Sequence, residues 1–134
     1  LWENHPVEQV ASPEGFARVG RLRLRLMDPE GAAEALEDAR RLGPSAEALL
    51  DLALARHLLG DLGGEVTATE QATVLAPMSS AAWSRHAHAL ARTDRVSDAI
   101  AASEQALTLD PEDEEVADLL ERLRAAAPRV LPAA

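Results

Sequence analysis

These 134 residues spell an all-α solenoid, three helix hairpins laid side by side and closed by a C-terminal capping helix, and three observations point there. Apolar residues make up 47% of the chain but are mostly Ala and Leu, with one Phe, two Trp and no Tyr. Strong helix formers therefore dominate, while the β-branched and aromatic residues that favour strands are scarce. A phrase also recurs at an interval of 34, TEQATVLAP at 69–77 and SEQALTLDP at 103–111. Breakers fall at matching places too, with Pro77 and Pro111 closing the two phrases, where proline is expected after a helix end.

Taken in order, residues 1–12 lack a helical period, contain Pro6 and read as an extended N-terminal arm. The first unit, 13–45, places Phe16, Gly20, Ala39 and Pro44 in the order of large, small, small and breaker residues that the later units repeat. Asp28 is a plausible N-cap there, with Pro29 as the first residue of the second helix. Unit 46–79 has helical stretches at 46–59 and 64–76, split by Gly60-Asp61-Leu62-Gly63. Unit 80–113 has them at 80–92 and 96–109, split by Thr93-Asp94-Arg95. Each unit is thus an antiparallel αα-hairpin. A capping helix at 112–127 carries Val116, Leu119, Leu120 and Leu123 on one stripe. Its acids crowd the N-terminus and Arg122 and Arg124 lie near the C-terminus, as the helix dipole prefers. Residues 128–134 form a tail, and 13–127 is the domain.

The recurrence has a physical reason. A lone hairpin cannot bury its apolar stripe, so neighbours must stack. Close stacking needs small residues where backbones approach, hence Gly20, Ala53 and Ala87 in the first helices and Ala39, Ala72 and Ala106 in the second. Phe16, Leu49 and Trp83 fill the space beside them, so Trp83 is expected in the core, with His86 a core or interlayer histidine.

This 34-residue helix–turn–helix resembles the tetratricopeptide repeat (TPR), whose pattern is a large aromatic, small and large residues, two alanines in the second helix and a proline. Unit 80–113 matches with Trp83, Ala87, Leu90, Ala99, Ala106, Leu107, Leu109 and Pro111; unit 46–79 with Leu49, Leu52, Ala53, Ala72, Leu75 and Pro77; unit 13–45 with Phe16, Gly20, Ala32, Leu36, Ala39 and Pro44. Local departures are Glu65 in place of alanine, Arg23 and Arg56 in place of tyrosine, His86 in place of leucine, and Gly63-Gly64, which should weaken a helix start. The resemblance spans 13–113. It implies a right-handed superhelical solenoid and a non-catalytic protein–protein interaction module whose first helices line a concave groove.

Carried onto this chain, the groove residues are Arg18, Arg21, Leu24 and Arg25 of the first hairpin, Leu50, Leu54, His57 and Leu58 of the second, and Arg85, His88 and Arg92 of the third. Arg18, Arg21 and Arg25 share one helix face, as do Arg85, His88 and Arg92. Against Glu14, Glu47 and Asp51 the five arginines leave a local excess of two positive charges. Leu50, Leu54 and Leu58 run between them. An apolar floor with basic sides suits a peptide carrying acidic and apolar residues, since guanidinium binds carboxylate in a bidentate fork. Reversing Arg21 and Arg85 to Glu is expected to weaken such binding. The two-carboxylate clamp for chaperone tails, built in this family from lysines and asparagines, is disfavoured: the chain has no lysine, and Ala17, Arg21 and Asp51 stand near those positions. The arm LWENHPVEQV is itself acidic and apolar, and one expectation is that it docks in its own or a neighbour's groove.

The remaining chemistry is sparse. With no Cys, thiol and disulfide chemistry are excluded. No G-x-S-x-G, phosphate loop or H-E-x-x-H is spelled. His86 and His88 are two apart on a helix and point away from each other, so no metal site and no cofactor is expected. A net charge of −10 argues against nucleic acid as a partner, and no apolar run is long enough to insert in a bilayer. Alternatives left open are a self-assembling scaffold, with a homo-oligomer possible, and a docking or regulatory domain of a larger enzyme. Leu1 in place of Met leaves room for the last. The compartment stays open, with the cytoplasm favoured.

Overall fold

A computed structural model describes residues 11–127. Local chemistry starts nearly every helix. Ser12, Ser45 and Ser79 cap α1 (Pro13–Arg25), α3 (Ala46–Leu58) and α5 (Ser80–Arg92), each hydroxyl accepting from the amide three residues on. Asp28 and Asp61 cap α2 (Pro29–Leu42) and α4 (Leu62–Leu75) in the same way, through the amides of Gly31 and Gly64 at 3.0 and 2.9 Å. The sixth helix, α6 (Val96–Leu109), has no side-chain cap, and Asp113 caps α7 (Glu114–Ala126). No strand occurs among the described residues.

Two helix starts differ from expectation for one reason. With its cap at Asp61, α4 begins at Leu62, so Leu62 and Gly63 belong to its first turn and not to the connection. With its cap at Asp113, α7 begins at Glu114 and not at residue 112. The three hairpin turns share a left-handed residue at equivalent positions, Met27 (φ 62°), Gly60 (φ 78°) and Asp94 (φ 58°). Glycine adopts that conformation freely, aspartate tolerably, and methionine at a cost.

The hairpins pair as α1 with α2, α3 with α4 and α5 with α6, and each second helix lies on the next first helix. The backbones of successive first helices approach one another, while those of second helices do not. That asymmetry bends the stack and puts α1, α3 and α5 on its inner side. The last helix, α7, packs on α6 and α5, as a further first helix would, and buries Val116, Leu119, Leu120 and Leu123. It closes the C-terminal end of the stack.

The core is built as the repeat requires. Gly20, Ala53, Ala87, Ala39, Ala72 and Ala106 are all buried. At Gly20 a β-carbon would lie 2.4 Å from Cγ of fully buried Leu36, so the missing side chain makes room for the leucine. The residues at Leu36's position in the other hairpins are smaller, Thr69 and Ser103, and there Ala53 and Ala87 stand where glycine does. Trp83 is only half-buried, against expectation: it packs on the apolar cluster that hairpin 3 shares with Val66 of α4 and Leu119 and Leu123 of α7, and its indole N–H donates to the Pro77 carbonyl at 2.8 Å. His86 is buried as expected. Its Nδ1 is hydrogen-bonded to Thr69 Oγ1 at 2.9 Å, and the same hydroxyl lies 3.0 Å from the Val66 carbonyl. Arg23 and Arg56 lace their own hairpins, donating from Nη1 to the carbonyls of Gly31 and Gly64, both at 3.0 Å.

Candidate functional site

The inner wall is made by α1, α3 and α5, whose positions repeat at 33 and 34 residues. Arg18, Asp51 and Arg85 are equivalent, as are Arg21, Leu54 and His88, and Arg25, Leu58 and Arg92. A wall of this kind mixes charge and apolar surface by register alone.

Ion pairs then sort the arginines. Arg21 is committed, its guanidinium bridging Glu47 and Asp51 of α3, with Nε and Nη2 3.3 and 3.2 Å from Asp51 Oδ2. Those hydrogen bonds, from Glu47 first and then Asp51, push its pKa upward. Arg92 is committed as well, donating from Nη2 and Nε to the two carboxylate oxygens of Glu65 at 2.7 and 3.2 Å. Arg18, Arg25 and Arg85 are exposed and have no carboxylate partner among the described residues. Arg18 lies midway along α1, Arg25 at its C-terminal end and Arg85 on α5.

Glu65 is the residue that sequence reasoning missed as part of the wall. It reaches in from α4, only 5% of its side chain exposed, and holds Arg92 while facing His57 Nδ1 at 3.5 Å. That nitrogen is buried and makes no hydrogen bond within ordinary geometry. One signal was available: Glu65 occupies a position held by Ala32 and Ala99 in the other hairpins. Counting it corrects the expected excess, since five arginines now meet four carboxylates and the net falls to one positive charge.

The other expected residues divide. Leu54 and Leu58 are 38% and 48% exposed and form an apolar strip on α3. Leu24 and Leu50 are half-buried and pack on the core, so they support the wall more than they face it. His88 is half-buried, and its Nδ1–H donates to the Ser84 carbonyl one turn back at 2.8 Å, leaving Nε2 as the free nitrogen. The arm falls outside the described residues, apart from Ala11 and Ser12. Among the described residues no group of three His, Asp or Glu is placed to share a metal ion. No helix there is long and apolar enough to cross a membrane. The wall is a shallow surface. A cleft of about 280 Å³ opens where Arg18 and Arg21 face Glu47, while larger ones, about 480 and 580 Å³, open along the second helices. An extended segment needs a long open surface and not a closed cavity, so cleft volume does not locate the site here.

Comparison with solved structures agrees with this architecture. The chain superimposes on the Arabidopsis OM64 TPR domain with a TM-score of 0.79 at 21% identity, covering 86% of this chain and 96% of that one. The first TPR of Spaghetti (RPAP3), solved bound to the HSP90 peptide SRMEEVD, gives 0.77 at 17% identity, covering 85% and 94%. A crystal structure of MamA gives 0.84 at 17% identity, covering 93% of this chain and 74% of that one. The chain therefore has the tetratricopeptide-repeat fold, a superhelical solenoid of helix hairpins. No protein-family model matches the sequence. A stretch of 22 residues is 73% identical to part of an NAD-dependent protein deacylase of Pasteurella multocida, which is 16% of this chain and spans 9% of that protein's length.

Proposed function

We propose that this chain is a non-catalytic protein-interaction module that takes an acidic and apolar partner segment along α1, α3 and α5. One observation carries the reading. Three expected wall arginines, Arg18, Arg25 and Arg85, have no carboxylate partner among the described residues, in a chain where acids outnumber bases by 23 to 13. Intramolecular pairing has left these exposed guanidiniums unmatched, and beside them Leu54 and Leu58 remain exposed. Carboxylates on a bound segment supply the missing partners, and its apolar residues cover the leucines.

The peptide in the Spaghetti complex, SRMEEVD, is itself acidic and apolar, which supports this class of partner. It does not extend to that tail, because Asp51 and Glu47 occupy the wall around Arg21 and repel a further carboxylate there.

The test is selection from a random peptide display library on the intact chain, repeated on the Arg18→Glu/Arg85→Glu variant. Enrichment of acidic, leucine- or methionine-containing peptides that the variant loses supports the proposal. Enrichment of basic peptides, or equal capture by the variant, ends it. Arg21 is unsuitable for this purpose, since reversing it sets three acids together and perturbs the contact of α1 with α3.

A further inference from the structure

The repeat allows the side of each hairpin that faces its predecessor to be compared with the next. In hairpin 2 that side is covered: Leu49 and Leu52 are buried in one cluster with Ala32 and Leu36 of α2. An ion pair completes the contact, Arg56 Nη2 donating to Glu37 Oε2 of α2 at 2.8 Å. The same two positions meet again at the far end, where Arg124 of α7 lies 3.9 Å from Glu104 of α6. Arg40, one turn beyond Glu37, bonds the same carboxylate and runs along a cleft beside Thr67 and Gln71 of α4.

Among the described residues, hairpin 1 repeats this surface without the cover. Phe16, Val19 and Arg23 precede Leu49, Leu52 and Arg56 by 33 residues. Phe16 and Val19 are half-buried and line, with Arg23 and Ala35, an open cleft of about 250 Å³. Arg23 keeps the inner hydrogen bond to Gly31 O but has no carboxylate partner, the only arginine away from the inner wall of which this is true among the described residues. At the positions of Thr67 and Gln71 stand Glu34 and Asp38, which line the same cleft. Asp38 is paired with Arg41 of its own helix, and Glu34 has no ion pair. The exposed side thus offers a cation, two carboxylates beside it and an apolar floor between.

From this juxtaposition we infer that the open side of hairpin 1 docks an amphipathic helix of a partner protein carrying Glu-x-x-Arg, laid on it as α2 is laid on hairpin 2. The glutamate meets Arg23, the arginine one turn on meets Glu34, and small apolar residues cover Phe16 and Val19. This surface is separate from the inner wall, and the inference does not rest on what that wall binds.

Because α2 itself carries the spelling, as Glu37 and Arg40, its sequence is the probe. The full chain, labelled with ¹⁵N, is titrated with a side-chain-bridged peptide of residues 29–42 whose helicity is verified by circular dichroism. Saturable amide shifts are expected at Phe16, Val19, Arg23 and Glu34. A peptide with Glu37→Arg should bind about tenfold more weakly and recover on the Arg23→Glu chain. Shifts confined to other surfaces, failure to saturate at millimolar peptide, or equal affinity for the reversed peptide would overturn the inference. Deleting residues 1–10 tests a rival occupant. If those four amides move on deletion and the peptide then binds more tightly, the chain's own leading segment covers this side and the partner helix is dismissed; unchanged amides support it.

Discussion

Replacing Gly20 with alanine puts the stacking argument to a quantitative test. In an exposed helix the change is favourable by about 1 kcal/mol, because alanine restricts the unfolded chain more than glycine does. Here the new β-carbon would lie 2.4, 2.8 and 3.1 Å from three carbons of Leu36, whose side chain is fully buried and has nowhere to retreat. Overpacking of this kind costs roughly 1–3 kcal/mol, and contacts so short belong at the upper end. The net loss should be about 1–2 kcal/mol, a fall of about 3–6 °C in Tm for a domain of this size. The other hairpins supply the suppressor, since alanine at Gly20's position coexists there with Thr69 and Ser103 at Leu36's. In a Leu36→Thr background Gly20→Ala should therefore become stabilising, by up to about 1 kcal/mol. Urea and thermal unfolding of the four-member cycle, followed by circular dichroism, measures the change of sign. A neutral or stabilising Gly20→Ala in the parent chain, or an equal loss in both backgrounds, would refute the reasoning.

Met27→Gly should raise stability by roughly 0.5–1 kcal/mol, since Gly60 already fills the same left-handed turn position in hairpin 2; thermal melts check this. Arg92→Ala leaves the buried Glu65 carboxylate facing only His57 and should cost about 1–3 kcal/mol in denaturant titrations, the lower figure allowing for Arg92's partial exposure. Adding Glu65→Ala should return part of that loss, because alanine is what the other hairpins carry there. Burial holds the His86 pKa below its ordinary 6.5, against a smaller upward pull from Glu70 and Asp98 and with a small downward push from Arg95. The unfolded chain then takes up a proton near pH 6.5 that the folded chain refuses. Stability from this residue is complete above that pH and is lost on acidification towards the lower folded pKa. Unfolding free energies at closely spaced pH values should show the decline, and His86→Gln should flatten it on the acid side of about pH 6.5.

Much of the architecture was legible because one requirement repeats. A hairpin that cannot bury its own stripe must place small residues where backbones meet, and Gly20, Ala53, Ala87, Ala39, Ala72 and Ala106 mark those places in the sequence. Helix starts were less legible: Asp61 and Gly63 read together as a connection, whereas a capping carboxylate begins the helix at once and leaves the glycine inside it. Ser12, Ser45 and Ser79, spaced at the repeat, were a signal that composition reading passed over. Trp83 went wrong for a different reason, since its size suggested the core while its N–H needs an acceptor, found at the edge in Pro77 O. In the candidate site, helical spacing identified the wall residues but could not sort free arginines from committed ones. That depends on which carboxylates face them across helices, as with Asp51 on Arg21, or reach round from the second layer, as with Glu65 on Arg92. A pairing between helices leaves no trace in the period of either one.

The most direct measurement is amide-shift mapping of the intact chain with the tightest acidic, apolar peptide recovered by display selection. Binding along the inner wall predicts shifts running through Arg18, Leu54, Leu58 and Arg85, with α2, α4 and α6 silent. Shifts on the second helices, or a peptide whose affinity ignores both salt and the Arg18→Glu/Arg85→Glu reversal, would contradict it.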